Sequence, residues 1–133
     1  MLDQLKERRE PIRVVIVGCG AMGKGLLYQT QVTPGLQCVG IADIDVDRAV
    51  ACAREMELAH RVVCTLSDAC DTIRKGQLVV CEDGEILAQV TGADVLIESS
   101  SSIVPGGRFS LAAIQSGKHL VLMNAEIDLI FGP

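Results

Sequence analysis

Short, almost uninterrupted runs of aliphatic residues recur along the chain, and helically spaced stretches follow them. IRVVIVG (12–18) is the first such run. Strands apolar at consecutive positions are covered on both faces, which calls for a parallel sheet joined by right-handed helical crossovers. After IRVVIVG, residues 21–32 carry Met22, Leu26, Leu27 and Tyr28 as a helical stripe that stops at TPG. LQCVGIAD (36–43) reads as a second strand. DVDRAVACAREM (45–56) reads as a helix capped by Asp45 or Asp47, with Val46, Ala49, Val50 and Ala53 facing inward. HRVVCTL is either a short strand or an extended connector. SDACDTIRKG is a helix with Ser67 as cap and Gly76 as stop. QLVVCED is a strand, GEILAQV a short helix and DVLIESS (94–100) another strand. GGRFSLAAIQSG (106–117) is a helix ending at Gly117, and KHLVLMNAE (118–126) is the last strand.

The composition agrees with layered packing of small side chains. Of 133 residues 49% are hydrophobic, yet there are only one Tyr, two Phe and no Trp, so Val, Ile, Leu, Ala and Met must build the core. That length suits one domain, placed here at 12–133, behind a charged lead-in at 1–11 whose first ten residues are the candidate for disorder. A net charge of −5, with no basic cluster and few aromatic side chains, argues against nucleic acid as a partner. MLDQLKERREPIR lacks the apolar core of a signal peptide, and no apolar run approaches the ~20 residues that cross a bilayer. The expectation is a cytoplasmic protein with no membrane partner. The six cysteines are scattered, with no C-x-x-C pair and only two histidines to complete a metal site. They read as reduced and mostly buried, and no metal is expected.

The first strand runs into GCGAMGKG. Gly18, Gly20 and Gly23 match G-x-G-x-x-G, and strand, helix and second strand surround them in the order the motif requires. Gly18 suits a tight turn, and Gly20 lets backbone approach a pyrophosphate. Gly23 lets the helix press against the strand, while first-turn N–H groups at Ala21 and Met22 face the anion. The fold class is therefore α/β, a Rossmann-type doubly wound parallel sheet of about five to six strands with helices on both faces. Gly25 stands where a P-loop needs a hydroxyl, and Lys24 reads as a solvated residue. Asp43, twenty residues beyond Gly23, can accept both adenosine-ribose hydroxyls, although it could instead cap the next helix. Ile44 follows it where an NADP enzyme often offers Arg or Ser. Arg48 lies close enough in sequence to leave NAD or NADP open, with NAD preferred.

Ligands of open parallel sheets lie across the carboxyl ends of the strands. That rule selects Glu98, Ser99, Ser100 and Ser101 after one strand and Asn124, Ala125 and Glu126 after the last. Ser99 and Ser100 could hydrogen-bond ribose or phosphate, whereas Ser101 and Ser102 read as a polar loop capping a helix. Asn124 and Glu126 either border the nicotinamide and substrate or lead the chain into another domain. His119 reads as a strand-start residue, and nothing marks out His60.

VVIVGCGAMGKGLLYQ, GIADIDVDRA, ADVLIESSSS and GKHLVLMNAEIDLIFGP together resemble the amino-terminal NAD(P)-binding domain of homoserine-dehydrogenase-like oxidoreductases. The nearest branch is that of the 1-deoxy-D-xylulose 5-phosphate reductoisomerase-like enzymes, which also carry a SAF domain. The resemblance runs from Ile12 to Pro133 and implies cofactor contacts at Gly18, Gly20, Met22, Gly23 and Asp43, and near Ser99, Ser100 and Asn124. Relatives commonly have an E-A-T-G-like turn where this chain has Glu98-Ser99-Ser100-Ser101. They also continue into a substrate domain holding most catalytic groups, so this chain reads as a fragment of a longer enzyme, without turnover of its own. The alternatives are a non-catalytic dinucleotide-binding sensor and a Rossmann-fold methyltransferase. Apolar surface around IDLIFGP would favour a homo-oligomer.

Overall fold

The computed structural model describes residues 2–7, 9–100 and 104–123. Ser101 and Ser102, and the tail with Asn124, Ala125 and Glu126, lie outside the described residues. A short helix α1 (Leu2–Lys6) occupies the lead-in that the sequence marked as a candidate for disorder. Asp3 in its first turn and Lys6 in its last oppose the helix dipole, a local pattern that supports one or two turns.

Six strands form one parallel sheet: β1 (Ile12–Val17), β2 (Leu36–Ala42), β3 (His60–Val62), β4 (Leu78–Cys81), β5 (Val95–Glu98) and β6 (His119–Leu122). Their spatial order is β3-β4-β2-β1-β5-β6. HRVVCTL thus contributes a three-residue strand that pairs with β4 at the sheet edge. The chain leaves β1 toward β2 on one side and reaches β5 on the other, so the topological switch lies between β1 and β5. The register between β1 and β2 slips after Val14, which pairs with Cys38 while Val15 pairs with Gly40. That leaves Val39 as an inserted residue.

Alternate strand residues feed two cores. Val14, Ile16, Ile41 and Val80 pack with α2 (Ala21–Val32) and α3 (Val46–Glu55) through Leu27, Ala49, Cys52 and Ala53. Val15, Val17, Val79 and Leu96 pack on the opposite face with α4 (Leu66–Arg74), α5 (Gly84–Gln89) and α6 (Val104–Gln115) through Ala69, Leu87, Ala88 and Ala113. The helices approach the sheet mainly with small residues, as a chain nearly without aromatics requires.

Two local expectations are corrected. The buried row of α2 is Gly23, Leu27 and Thr30, and Met22 and Tyr28 are about half exposed at 51% and 52%. Close approach at Gly23 sets the rotation of the helix, so the bulkier residues beside that row turn outward. The cap of α4 is Thr65, whose hydroxyl accepts the Asp68 N–H at 3.1 Å, and Ser67 lies inside the helix. Gly76 and Gly117 follow α4 and α6 in the left-handed conformation, donating N–H to Ile73 and Ile114 as the helix stops require.

The α5 face of the sheet is anchored by Leu87, which is wholly buried. Leu87→Ala is expected to cost about 2–5 kcal/mol of unfolding free energy, measured by urea denaturation. A cost under about 1 kcal/mol would contradict this packing.

Candidate functional site

At the end of β1 the backbone turns at Gly18 with φ +98°, where its N–H still bonds the Ala42 carbonyl at 2.7 Å. A β-carbon there would lie 2.6 Å from the Ser100 nitrogen, because the turn after β5 packs directly on it. Ser99 bolts the two turns together. Its N–H donates to the Val17 carbonyl, and its hydroxyl lies 2.9 Å and 3.0 Å from the carbonyls of Val17 and Gly18. Gly23 is tighter still, since a β-carbon would sit 1.7 Å from the Gly18 oxygen. Gly20 differs from both. Its backbone is extended, and among the described residues nothing lies within 4 Å of where a side chain would begin. No atom of the described residues explains why this position has no side chain. It begins α2 as a cap without a side-chain hydrogen bond, so among the described residues no cap side chain accepts from the first-turn N–H groups of α2.

Asp43 follows β2, its side chain largely buried at 10% exposure. Oδ2 accepts the Cys19 N–H at 2.8 Å, and Oδ1 accepts the Asp45 N–H at 2.9 Å. A carboxylate has about four lone-pair positions, so two remain for a ligand. Asp43 therefore holds the glycine loop against β2 while keeping acceptor capacity. The alternative that it caps the next helix is overturned, because Asp45 caps α3 by accepting the Arg48 N–H at 3.3 Å. The Arg48 guanidinium stands 3.9 Å from Asp43 Oδ2.

A crevice of about 430 Å³ runs across these strand ends. Gly18, Gly20, Ala21, Met22, Asp43, Ile44, Ser99 and Ser100 all line it, while Gly23 packs behind the loop. Ile44 is 73% exposed, and with Met22 it gives the crevice an apolar rim that solvent alone would not favour. Sequence reasoning passed over Glu82, Pro105 and Phe109, which also line it. Glu82 follows directly after β4, so the strand-end rule could have found it. Phe109, one of the two phenylalanines, lies on α6 with no strand-end signal.

Lys24 pairs with Glu55 at 2.6 Å on the surface, His119 is exposed at the start of β6, and His60 Nδ1 lies 2.9 Å from the Leu58 carbonyl. None of the three lines the crevice. The six cysteines are free thiols, and burial pushes Cys38 and Cys81 up to about 12 and raises Cys19 further. Cys19, inside the glycine loop, is thus held as a neutral thiol. Among the described residues no three His, Cys, Asp or Glu side chains gather in a metal-holding group.

Glu98, the last residue of β5, is fully buried. Its Oε1 accepts both the N–H and the hydroxyl of Ser100, and its Oε2 has no hydrogen-bond partner among the described residues. Burial raises its carboxyl above the usual glutamate range, against the pull of the two Ser100 hydrogen bonds.

No protein-family model matches the chain, and no curated protein sequence does. Among solved structures it is similar to myo-inositol dehydrogenase from Lactobacillus casei, in complex with NAD(H) and myo-inositol. The two share 21% identity and a TM-score of 0.63 over 84% of this chain and 28% of that one. DOX-P reductoisomerase with fosmidomycin and magnesium matches at 18% identity and a TM-score of 0.60, over 89% and 32%. A probable dehydrogenase from Thermotoga maritima matches at 18% and 0.59, over 83% and 27%. The chain spans under a third of the length of each. What they share with it is the fold, which in this chain is a six-stranded parallel sheet flanked by helices.

Because folded Glu98 holds its proton more tightly than unfolded Glu98, its stabilising contribution is full below the ordinary glutamate pKa. It is lost as pH rises through the folded value. Glu98→Gln cannot ionise, so its Tm relative to wild type is expected to rise between about pH 4 and pH 8. Parallel Tm curves across that range would contradict a buried, proton-holding Glu98.

Proposed function

We propose that this chain is the dinucleotide-binding domain of an NAD(P)-dependent oxidoreductase and that it takes NAD in preference to NADP. One observation carries the proposal: Gly20 lacks a side chain where the described residues leave open space, beside helix N–H groups that no cap side chain bonds. The crevice residues would serve a dinucleotide as follows. Gly20, Ala21 and Met22 would hold the pyrophosphate at the N-terminus of α2. Asp43 would accept the adenosine ribose hydroxyls, and Ile44 and Met22 would flank the base. Ser100 lies on the β5 side, with Phe109, where the nicotinamide half would extend. When bound, the nicotinamide supplies hydride transfer, and the residues of this chain bind and orient it.

The likeness to dehydrogenase and reductoisomerase folds supports an oxidoreductase, and GKHLVLMNAEIDLIFGP supports the homoserine-dehydrogenase-like placement near the reductoisomerase-like branch. On this reading, residues 12–133 form the cofactor domain of a longer enzyme whose small-molecule substrate is bound outside them. Asn124 and Glu126 would border the nicotinamide. Free thiols and acidic charge fit a cytoplasmic protein with neither nucleic acid nor membrane as partner, and self-association is part of the proposal. No helix among the described residues is long and apolar enough to cross a membrane.

The glycines separate folding from binding. Gly20→Ala should change stability by no more than about 1 kcal/mol, whereas Gly23→Ala should lose about 2–3 kcal/mol or more from its clash with the Gly18 oxygen. Titration of NADH followed by fluorescence should give saturable binding to wild type and at least about tenfold weaker binding to Gly20→Ala. Equal NADH affinity in a folded Gly20→Ala, or no response in wild type at millimolar cofactor, would overturn the proposal.

A further inference from the structure

The crevice crosses the strand ends in the order β4, β2, β1, β5, so Glu82 and Asp43 lie on one side of the glycine loop and Ser100 on the other. The charged groups on the Glu82 side are Asp43 and Asp45 after β2, Arg48 on α3, and Glu82 after β4. Three of these four are already compensated. Asp43 accepts two backbone N–H groups and faces Arg48, and Asp45 caps α3. Arg48, in turn, has Asp43 as its ion-pair partner. Glu82 is exposed on the crevice wall and has neither a hydrogen bond nor an ion pair among the described residues.

From this imbalance we infer that Glu82 is a specificity-determining residue, rejecting nucleotides that carry a 2′-phosphate on the adenosine ribose. The inference rests on the dinucleotide reading above. A ribose held at Asp43 would place its 2′ position among these four side chains. A 2′-phosphate could draw Arg48 away from Asp43, since a guanidinium binds phosphate oxygens as readily as a carboxylate. Arg48 alone would therefore make the site permissive toward NADP. Asp43, with its charge partly offset, opposes that only in part. Glu82 adds a full uncompensated negative charge on the neighbouring strand end, and a doubly charged phosphate meets the larger repulsion. The sequence rule that reads cofactor choice from the acid after the second strand overlooks this second carboxylate.

Dissociation constants for NADH and NADPH, measured by fluorescence titration at low and high salt, test the inference in wild type, Glu82→Gln and Glu82→Lys. Glu82 is exposed, so both variants should fold, and circular dichroism checks that they do. At low ionic strength the NADPH-to-NADH ratio of dissociation constants should fall by about five- to tenfold in Glu82→Gln and further in Glu82→Lys. The difference between wild type and variants should shrink at about 0.5 M salt, where the Debye length is a few ångströms. A ratio unchanged in both folded variants, or wild type binding NADPH at least as tightly as NADH, would overturn the role of Glu82 while leaving dinucleotide binding intact. Wild type binding neither nucleotide would overturn the dinucleotide reading itself and this inference with it.

Discussion

The crevice depends on the contact between the turns that leave β1 and β5. Gly18 has no room for a side chain because the Ser99–Ser100 backbone lies against it, and the Ser99 hydroxyl bridges to the carbonyls of Val17 and Gly18. Gly23 then brings α2 down onto the same Gly18 carbonyl. These close approaches set the position of the α2 N-terminus over the sheet, and with it the direction of the free N–H groups. Asp43 completes the frame from the other side by accepting the Cys19 N–H. Switch-point topology makes this possible, since only there do neighbouring strands send their chains in opposite directions and leave a gap between their turns.

Much of this frame was legible in the sequence because burial on both faces leaves a strong mark. β1, β2 and α2 begin and end within a residue of where IRVVIVG, LQCVGIAD and TPG place them. The glycine stops after α4 and α6 were equally readable, since a left-handed residue there has few substitutes. What escaped depended on contacts between distant residues. The rotation of α2 follows from the Gly23–Gly18 approach and not from its most apolar stripe, so Met22 and Tyr28 turn outward. Thr65 and Ser67 are both sound caps by type, and local sequence does not say which residue opens the helix.

The site shows the same division. Glycine spacing and the acid after β2 place Gly18, Gly20, Met22 and Asp43 on one crevice because chain connectivity alone brings them together. Two features needed the third dimension. Ser99 and Ser100 read as hydroxyls for a ligand; both line the crevice, and in the fold Ser99 also ties two turns together while Ser100 bonds the Glu98 carboxyl. Glu98 is selected with them by the strand-end rule, yet Val17 and Leu122 flank it in the sheet and its second oxygen has no partner among the described residues. Burying a carboxyl here penalises its charged form, which is why its pKa is raised.

The central claim is that one end of this sheet, the carboxyl end, is built for a dinucleotide. Amide chemical-shift mapping of the isotope-labelled chain during NADH titration tests it most directly. Shifts should concentrate at Cys19 to Gly23, Asp43 to Asp45, Glu82 and Ser99 to Ser100. Saturating NADH without shifts there, or shifts concentrated at the opposite end around Arg13 and Gly92, would contradict it.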